Sequence, residues 1–249
     1  MTAESSAPLH FLRFEFKYLL DQKGRAAVEA EIQPFVMLDP HVEGQQDREY
    51  FVRSLYFDTP SFTAFHAKDD GLLSRSKFRV RTYGRGIGDP APWFLEIKGR
   101  HNQLVWKHRT PVLGDFDRHA HGESLTRVLL RGAEPGEVRD RFEFAVYRHS
   151  IRPCALVDYT RRPYVSNSDA DFRITLDSQL AAWRLDTLSP QASDNSRGVL
   201  RGYTVMEVKF RHRVPAWFHR ILQSHELRRR SLSKIGESMV ALGLRSAES

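Results

Sequence analysis

Charged residues that lie two positions apart recur along this chain and are its clearest chemical feature. Five such pairs occur: Glu15 and Lys17, Arg79 and Arg81, Glu96 and Lys98, Lys107 and Arg109, and Glu207 and Lys209. Residues two positions apart in a β-strand point to the same face of a sheet. Each pair therefore predicts a strand with a charged face, and Phe16, Val80 and Ile97 predict that the opposite faces are buried.

Two arrangements explain these charged faces. In the first, antiparallel strands simply expose them to solvent, which is ordinary for a single strand. In the second, the strands close into a barrel whose outer, apolar face is covered by helices, so that the charges line a wet interior. Five pairs favour the second arrangement. Such an interior would bind phosphate chains, because arginine contacts phosphate oxygens in bidentate fashion and lysine adds a mobile point charge.

The carboxylates among these cations allow two interpretations. Mg²⁺ and Mn²⁺ prefer oxygen ligands and can bridge a protein to substrate phosphates, which makes Glu207 and Glu96 candidate metal ligands. Alternatively, each glutamate forms an ion pair with a neighbouring lysine or arginine. The sequence leaves both interpretations open, and Asp177 is equally ambiguous.

The composition supports an anionic partner. The chain has 249 residues, with 38 Lys and Arg against 31 Asp and Glu, a net charge of +7 and a pI of about 9.7. This excess favours phosphate, nucleic acid or a membrane surface as the partner. Cys154 is the only cysteine, which excludes an intrachain disulfide. Walker A, protein-kinase, HExxH and GxSxG motifs are missing from the sequence, so those catalytic architectures are excluded.

The pattern of elements predicts an α+β fold built on a closed antiparallel eight-stranded β-barrel, a tunnel, with helices packed outside and at the C-terminus. Alternation predicts strands near residues 11–20, 53–58, 76–83, 93–98, 104–111, 155–164, 172–176 and 202–210. Helical spacing predicts helices near residues 21–33, 121–133, 216–227 and 233–244. We expect residues 1–10 to be a flexible N-terminus and residues 11–245 to form a single domain.

The first ten residues have neither a basic start nor an apolar core, so they do not indicate a secretory signal. No apolar run approaches the roughly 20 residues of a membrane span. We therefore expect a cytoplasmic location, with membrane association only through a partner.

Several short motifs, in this order, resemble the VTC domain of the triphosphate tunnel metalloenzyme superfamily. They are Arg13–Tyr18 (RFEFKY), Ser54–Asp58 (SLYFD), Lys77–Tyr83 (KFRVRTY), Phe94–Lys98 (FLEIK), Lys107 with Arg109, Tyr159–Arg161 (YTR), Arg173–Asp177 (RITLD), Met206–Lys209 (MEVK) and Ser233–Lys234. One departure is Ser231, where the family can carry a further basic residue, and Arg230 is a candidate substitute. Each motif is weak alone, but their shared order is specific.

The resemblance implies a tunnel lined by phosphate-binding side chains and a metal held by Glu207, with Mn²⁺ or Mg²⁺ as the cofactor. The expected phosphate-binding residues are Lys17, Arg79, Arg81, Lys98, Lys107, Arg109, Tyr159, Arg161, Arg173, Lys209, Ser233 and Lys234. The implied activity transfers the γ-phosphate of ATP to a growing inorganic polyphosphate chain. ATP and polyphosphate or pyrophosphate are then the expected partners, and any coupling to transport would need a separate membrane protein.

Two other functions stay open. The same tunnel could hydrolyse tripolyphosphate or a nucleoside triphosphate, or it could bind polyphosphate without turnover. Nucleic acid is not expected, because RNA readers display stacking aromatics on their binding face, whereas Phe14, Phe16 and Phe78 lie opposite the charges.

Overall fold

The computed structural model describes residues 14–42, 45, 47–67, 72–85, 91–101 and 104–244. The expected flexible N-terminus at residues 1–10 lies outside these ranges. The strands are β1 (Phe14–Asp21), β2 (Val36–Leu38), β3 (Tyr50–Asp58), β4 (Ser74–Thr82), β5 (Trp93–His101), β6 (Leu104–Val112), β7 (Arg152–Ser166), β8 (Arg173–Trp183), β9 (Arg197–Gly198) and β10 (Tyr203–Phe210). The α-helices are α1 (Gln22–Ile32), α2 (Thr63–His66), α3 (Gly122–Gly132), α4 (Glu137–His149), α5 (Ala216–Ser224) and α6 (Lys234–Ala241).

The α+β class is confirmed, but the closed eight-stranded barrel is wrong. The strands form one antiparallel sheet of ten, in the order β1-β10-β8-β7-β3-β4-β5-β6, with β2 beside β7 and β9 beside β8. Within the described ranges no backbone pairing joins β1 to β6, so the sheet has two open edges. Alternation identifies a strand, but closure depends on accumulated twist and curvature, which no local pattern encodes. The two additional strands have only three and two residues.

The apolar faces of the strands are covered by helices in two places. Leu95 and Ile97 of β5 pack with Leu129 of α3 and Phe142 of α4 in one core cluster. A second cluster joins β1, β8 and β10 to α1 and α5, with Phe218 of α5 fully buried. Burial of each large apolar side chain contributes about 1.5–3 kcal/mol. These two clusters hold the opposite, charged faces together on the other side of the sheet.

Helix α6, the last helix in the described part of the chain, lies on the charged side of the sheet, whereas the sequence placed it only at the C-terminus. Its Ile235 and Met239 pack with Tyr56 of β3 and Val157 of β7. The side chain of Tyr56 lies on the same face of the sheet as that of Arg79. The chain reaches this position through residues 227–233, which we call the strap. Arg230 N donates to Lys17 O over 2.8 Å, so the strap lies along the open edge at β1.

Most predicted helices agree with the structure, but α4 was missed. Asp21 caps α1 as expected, with its carboxylate accepting a hydrogen bond from Gly24 N over 2.7 Å. Helix α4 was missed because its sequence, EVRDRFEFAVYRH, is dominated by charged residues and exposes Phe144 and Tyr147. None of the helices that the structure describes is long and apolar enough to cross a membrane.

Candidate functional site

The first group of charged side chains surrounds Glu96 and comes from three neighbouring strands. Arg79 of β4 is opposite Glu96 of β5, which is in turn opposite Arg109 of β6. We call Glu96, Arg79, Arg81 and Lys107 the Glu96 cluster. Arg79 Nη2 lies 2.6 Å and Arg81 Nε 3.9 Å from Glu96 Oε2, and Lys107 Nζ lies 2.5 Å from Glu96 Oε1. Three cations thus share one carboxylate.

Electrostatics keep Glu96 ionised although its side chain is completely buried. Burial by itself would raise the pKa of Glu96, but Arg79, Arg81 and Lys107 together hold that pKa well below its usual range. Burial lowers the pKa of Lys107 to about 7 despite the nearby Glu96, but Arg79 and Arg81 alone outnumber the single carboxylate, so the cluster retains a net positive charge. A phosphate oxygen placed here would find cations already fixed in position.

Two residues that were not predicted as site residues orient the arginines of this cluster. Arg79 Nη1 donates to Tyr56 Oη over 3.2 Å, and Arg81 Nε donates to Ser54 Oγ over 2.9 Å. Both acceptors lie on β3, on the face that carries the charges. Burial alone would raise the pKa of Tyr56, but Arg79 and Arg81 lower it to about 8. The spacing of Ser54 and Tyr56 is the signal that could have identified them.

The second group lies on β7, β8, β10 and α6. We call Asp177, Arg161, Lys234, Glu207 and Lys209 the Asp177 cluster. Arg161 donates to both oxygens of Asp177, over 2.6 and 2.8 Å. Lys234 Nζ lies 2.5 Å from Asp177 Oδ2 and 3.4 Å from Glu207 Oε2, and Lys209 Nζ lies 2.8 Å from Glu207 Oε1. Lys234 therefore joins two buried carboxylates.

These carboxylates are also held in the ionised form. Burial would raise the pKa of Glu207, yet Lys209, Lys234 and Lys17 move it well below the usual value. The pKa of Asp177 is likewise lowered, because Arg161 and Lys234 outweigh burial. Asp177 was ambiguous in the sequence, and the structure makes it the shared partner of two predicted phosphate-binding residues.

A salt bridge connects the two sides of the open sheet. Lys98 Nζ of β5 lies 3.3 Å from Glu15 Oε2 of β1, while Glu15 Oε1 lies 2.9 Å from Lys17 Nζ. Strands β5 and β1 are far apart in the order of the sheet, so this contact requires the sheet to curve strongly. The charged face is therefore concave, and it brings Lys98 of β5 close to Lys17 of β1 through their shared partner Glu15.

The remaining predicted residues occupy different positions. Tyr159 is buried beneath Lys234, with the ammonium 5.3 Å from the ring centroid. Ser233 Oγ caps α6 and accepts a hydrogen bond from Lys77 Nζ over 3.2 Å. Arg109 is exposed and lies over Phe94, and Arg173 is half-exposed, 3.5 Å from Asp39. The structure therefore does not bring Arg109 and Arg173 into either cluster.

The donor groups differ in how well they suit a divalent metal. Both oxygens of Glu96 face cations, at 2.6 Å from Arg79 Nη2 and 2.5 Å from Lys107 Nζ, and both oxygens of Glu207 also face cations, at 2.8 Å from Lys209 Nζ and 3.4 Å from Lys234 Nζ. In the described part of the chain, no three His, Cys, Asp or Glu side chains converge on a metal position. Mg²⁺ is nevertheless commonly held by one or two carboxylates together with water and substrate phosphates. Glu207 fits that type of site better than Glu96 does, because its cation contacts are longer and the one with Lys234 spans 3.4 Å.

Acid should weaken the link between β1 and β5. Burial and the nearby Glu207 would raise the pKa of Glu15, but Lys98, Lys17 and Lys209 lower it from 4.5 to about 2. A carboxylate with a lowered pKa in the folded state stabilises the fold above its unfolded pKa, and this stabilisation is lost as the pH falls through the folded pKa. We expect the free energy of unfolding to fall between about pH 4.5 and 2.

Urea denaturation at several pH values measures this effect. Replacing Glu15 with glutamine should make the fall less steep, whereas Glu143→Gln on the outer helix α4 should leave it unchanged. A slope as steep in Glu15→Gln as in the unaltered chain would contradict the assignment.

Comparison with known proteins identifies the family. No curated protein sequence matches the chain. Among the solved structures that are similar to this chain, PH1819 from Pyrococcus horikoshii OT3 shares 13% sequence identity, and the match covers 94% of this chain and 99% of PH1819 with a TM-score of 0.48. A candidate adenylate cyclase (bh2851) from Bacillus halodurans shares 14% identity over 90% of this chain and 94% of its own, with a TM-score of 0.49. HpAC1 from Hippeastrum, a candidate adenylyl cyclase described with a dominant triphosphatase activity, shares 12% identity over 94% of this chain and 98% of its own, with a TM-score of 0.48. The model of the VTC domain matches residues 12–242. The chain therefore belongs to the VTC domain family.

Proposed function

We propose that this protein is a polyphosphate polymerase that transfers the γ-phosphate of ATP to a growing inorganic polyphosphate chain. The observation that carries this proposal is the convergence of cations from separate strands on one concave face, in the Glu96 and Asp177 clusters. Phosphoryl transfer consists largely of positioning and of stabilising charge on the transferred group. Fixed arginines and lysines perform both tasks.

Each cluster contributes differently to the proposed reaction. Arg79 and Arg81, oriented by Tyr56 and Ser54, are suited to bidentate contact with phosphate oxygens. Lys17, Lys209 and Lys234 would supply point charges that hold successive phosphates and orient the acceptor end. Glu207 would hold Mn²⁺ or Mg²⁺, and the bound metal would neutralise developing charge on the phosphate oxygens.

Product analysis tests the proposal. The purified chain, given ATP and Mn²⁺, should release ADP and form phosphate chains that separate by length on a gel. Glu207→Gln should reduce chain formation by about 10²-fold or more, because it removes the carboxylate expected to hold the metal. Glu123→Gln, at the exposed start of α3, removes the same charge outside the site and should retain activity. Chain synthesis by a folded Glu207→Gln variant would reject the metal role.

Triphosphate hydrolysis is the second candidate, and the position of α6 favours it. Because α6 covers Tyr56 and Val157 on the charged side, the concave face has less room for a long chain. A bound triphosphate would then be attacked by water instead of by a polymer end. Release of phosphate without chain growth would identify a hydrolase, and binding without turnover under any divalent metal would identify a binding module.

A further inference from the structure

The strap carries three consecutive arginines that neither cluster uses. Arg228, Arg229 and Arg230 are exposed. Arg79, Arg161 and Lys234 on the concave face are each matched by a buried carboxylate. In contrast, none of the three strap arginines forms an ion pair within the ranges that the structure describes. Their charge is therefore available to an anion from outside.

The strap is fixed beside the cations of the concave face. Arg230 N donates to Lys17 O over 2.8 Å, and Lys17 Nζ donates to Leu232 O over 3.0 Å. The guanidinium of Arg229 lies 4.0 Å from the centre of the Phe16 ring, a cation–π contact that anchors the middle of the strap. The arginines thus lie along the open edge at β1, next to Lys17.

The chemistry of this edge suits a polyphosphate chain better than a membrane. Three residues span at most roughly 10 Å, so Arg228 and Arg230 offer two positive charges within reach of one linear polyanion. The strap offers little apolar surface for insertion into lipid, because its two leucines, Leu227 and Leu232, are partly buried. A tripolyphosphate held by the clusters would not need the strap, whereas a longer chain would extend onto it.

We propose that Arg228 and Arg230 form an outer binding site for the part of a polyphosphate chain that extends beyond the concave face, so that the protein prefers long chains. This inference rests on the proposed function, since it requires the concave face to hold one end of the phosphate chain. Arg229 is the anchor of the strap and not a ligand.

The test measures binding of tripolyphosphate and of long-chain polyphosphate to the whole protein at several salt concentrations. Arg228→Gln/Arg230→Gln should weaken long-chain binding about tenfold at low salt. The slope of log affinity against log salt concentration should be shallower by about one for each phosphate contact that this variant loses. Tripolyphosphate binding should weaken less than long-chain binding, because only Arg230 of this pair is a candidate substitute for the family's further basic residue. Arg127→Gln/Arg131→Gln, on the exposed side of α3, removes the same charge and should leave both ligands unaffected.

Each contrary outcome identifies a different error. If the unaltered protein binds neither ligand, the proposed function fails together with the strap site. If it binds long chains and the strap variant binds them equally well, only the strap site is refuted. If binding of both ligands weakened equally, or if the α3 control weakened binding as much as the strap variant, the effect would come from net charge alone and the strap site would be refuted. Loss of binding to phosphatidylserine vesicles, with polyphosphate binding intact, would make the strap a membrane contact and overturn the inference.

Discussion

Replacing Asp177 with asparagine should lower the free energy of unfolding by about 3–5 kcal/mol, the cost of removing one partner of a buried ion pair. Asp177 is completely buried and accepts hydrogen bonds from Arg161 over 2.6 and 2.8 Å. Lys234 Nζ lies 2.5 Å from the same carboxylate. Asparagine preserves the volume but not the charge, so Arg161 would lose its buried counter-ion and Lys234 would keep only Glu207.

Urea denaturation of Asp177→Asn measures this loss of stability. Two further variants serve as a control and as a partial rescue. Asp186→Asn removes an exposed carboxylate whose contact with His121 spans 3.1 Å, and it should change stability by less than about 1 kcal/mol. Asp177→Asn/Lys234→Met should recover part of the loss, because one of the two cations that Asp177 had balanced is removed as well. A loss under about 1 kcal/mol in Asp177→Asn would show that the Asp177 cluster is not a structural centre of the fold.

Replacing Glu96 with glutamine should destabilise the free protein by about 3 kcal/mol or more and should also make it more responsive to phosphate. Without the carboxylate, Arg79, Arg81 and Lys107 repel one another with no anion between them. A bound polyanion would supply the missing negative charge. Ligands that bind only the folded state raise stability in proportion to their affinity.

Thermal unfolding with and without tripolyphosphate tests this prediction. The increase in Tm caused by tripolyphosphate should be larger in Glu96→Gln than in the unaltered protein. Glu143→Gln, on α4 and outside both clusters, is the matched control and should show the unaltered increase. An equal increase in all three proteins would mean that the Glu96 cluster does not meet the phosphates.

The sequence alone determined the eight longer strands and which of their faces are charged. The pairs at Arg79 and Arg81, or at Glu207 and Lys209, require only the twofold period of a strand, which is a local property. The ordered motifs that include these pairs were also enough to indicate the VTC domain family. Helix α4 shows the limit of such patterns, because its charged residues obscure the helical spacing of its apolar residues.

Only the tertiary structure decided how these charges pair and what covers them. Asp177 forms an ion pair with Lys234, which is 57 positions away in sequence, and the strap forms a hydrogen bond with Lys17, which is more than 200 positions away. Such partners depend on strand register and on the curvature of the whole sheet, which no short window of sequence contains. For the same reason, the open edges at β1 and β6 and the place of α6 on the charged side were decided by packing, not by pattern.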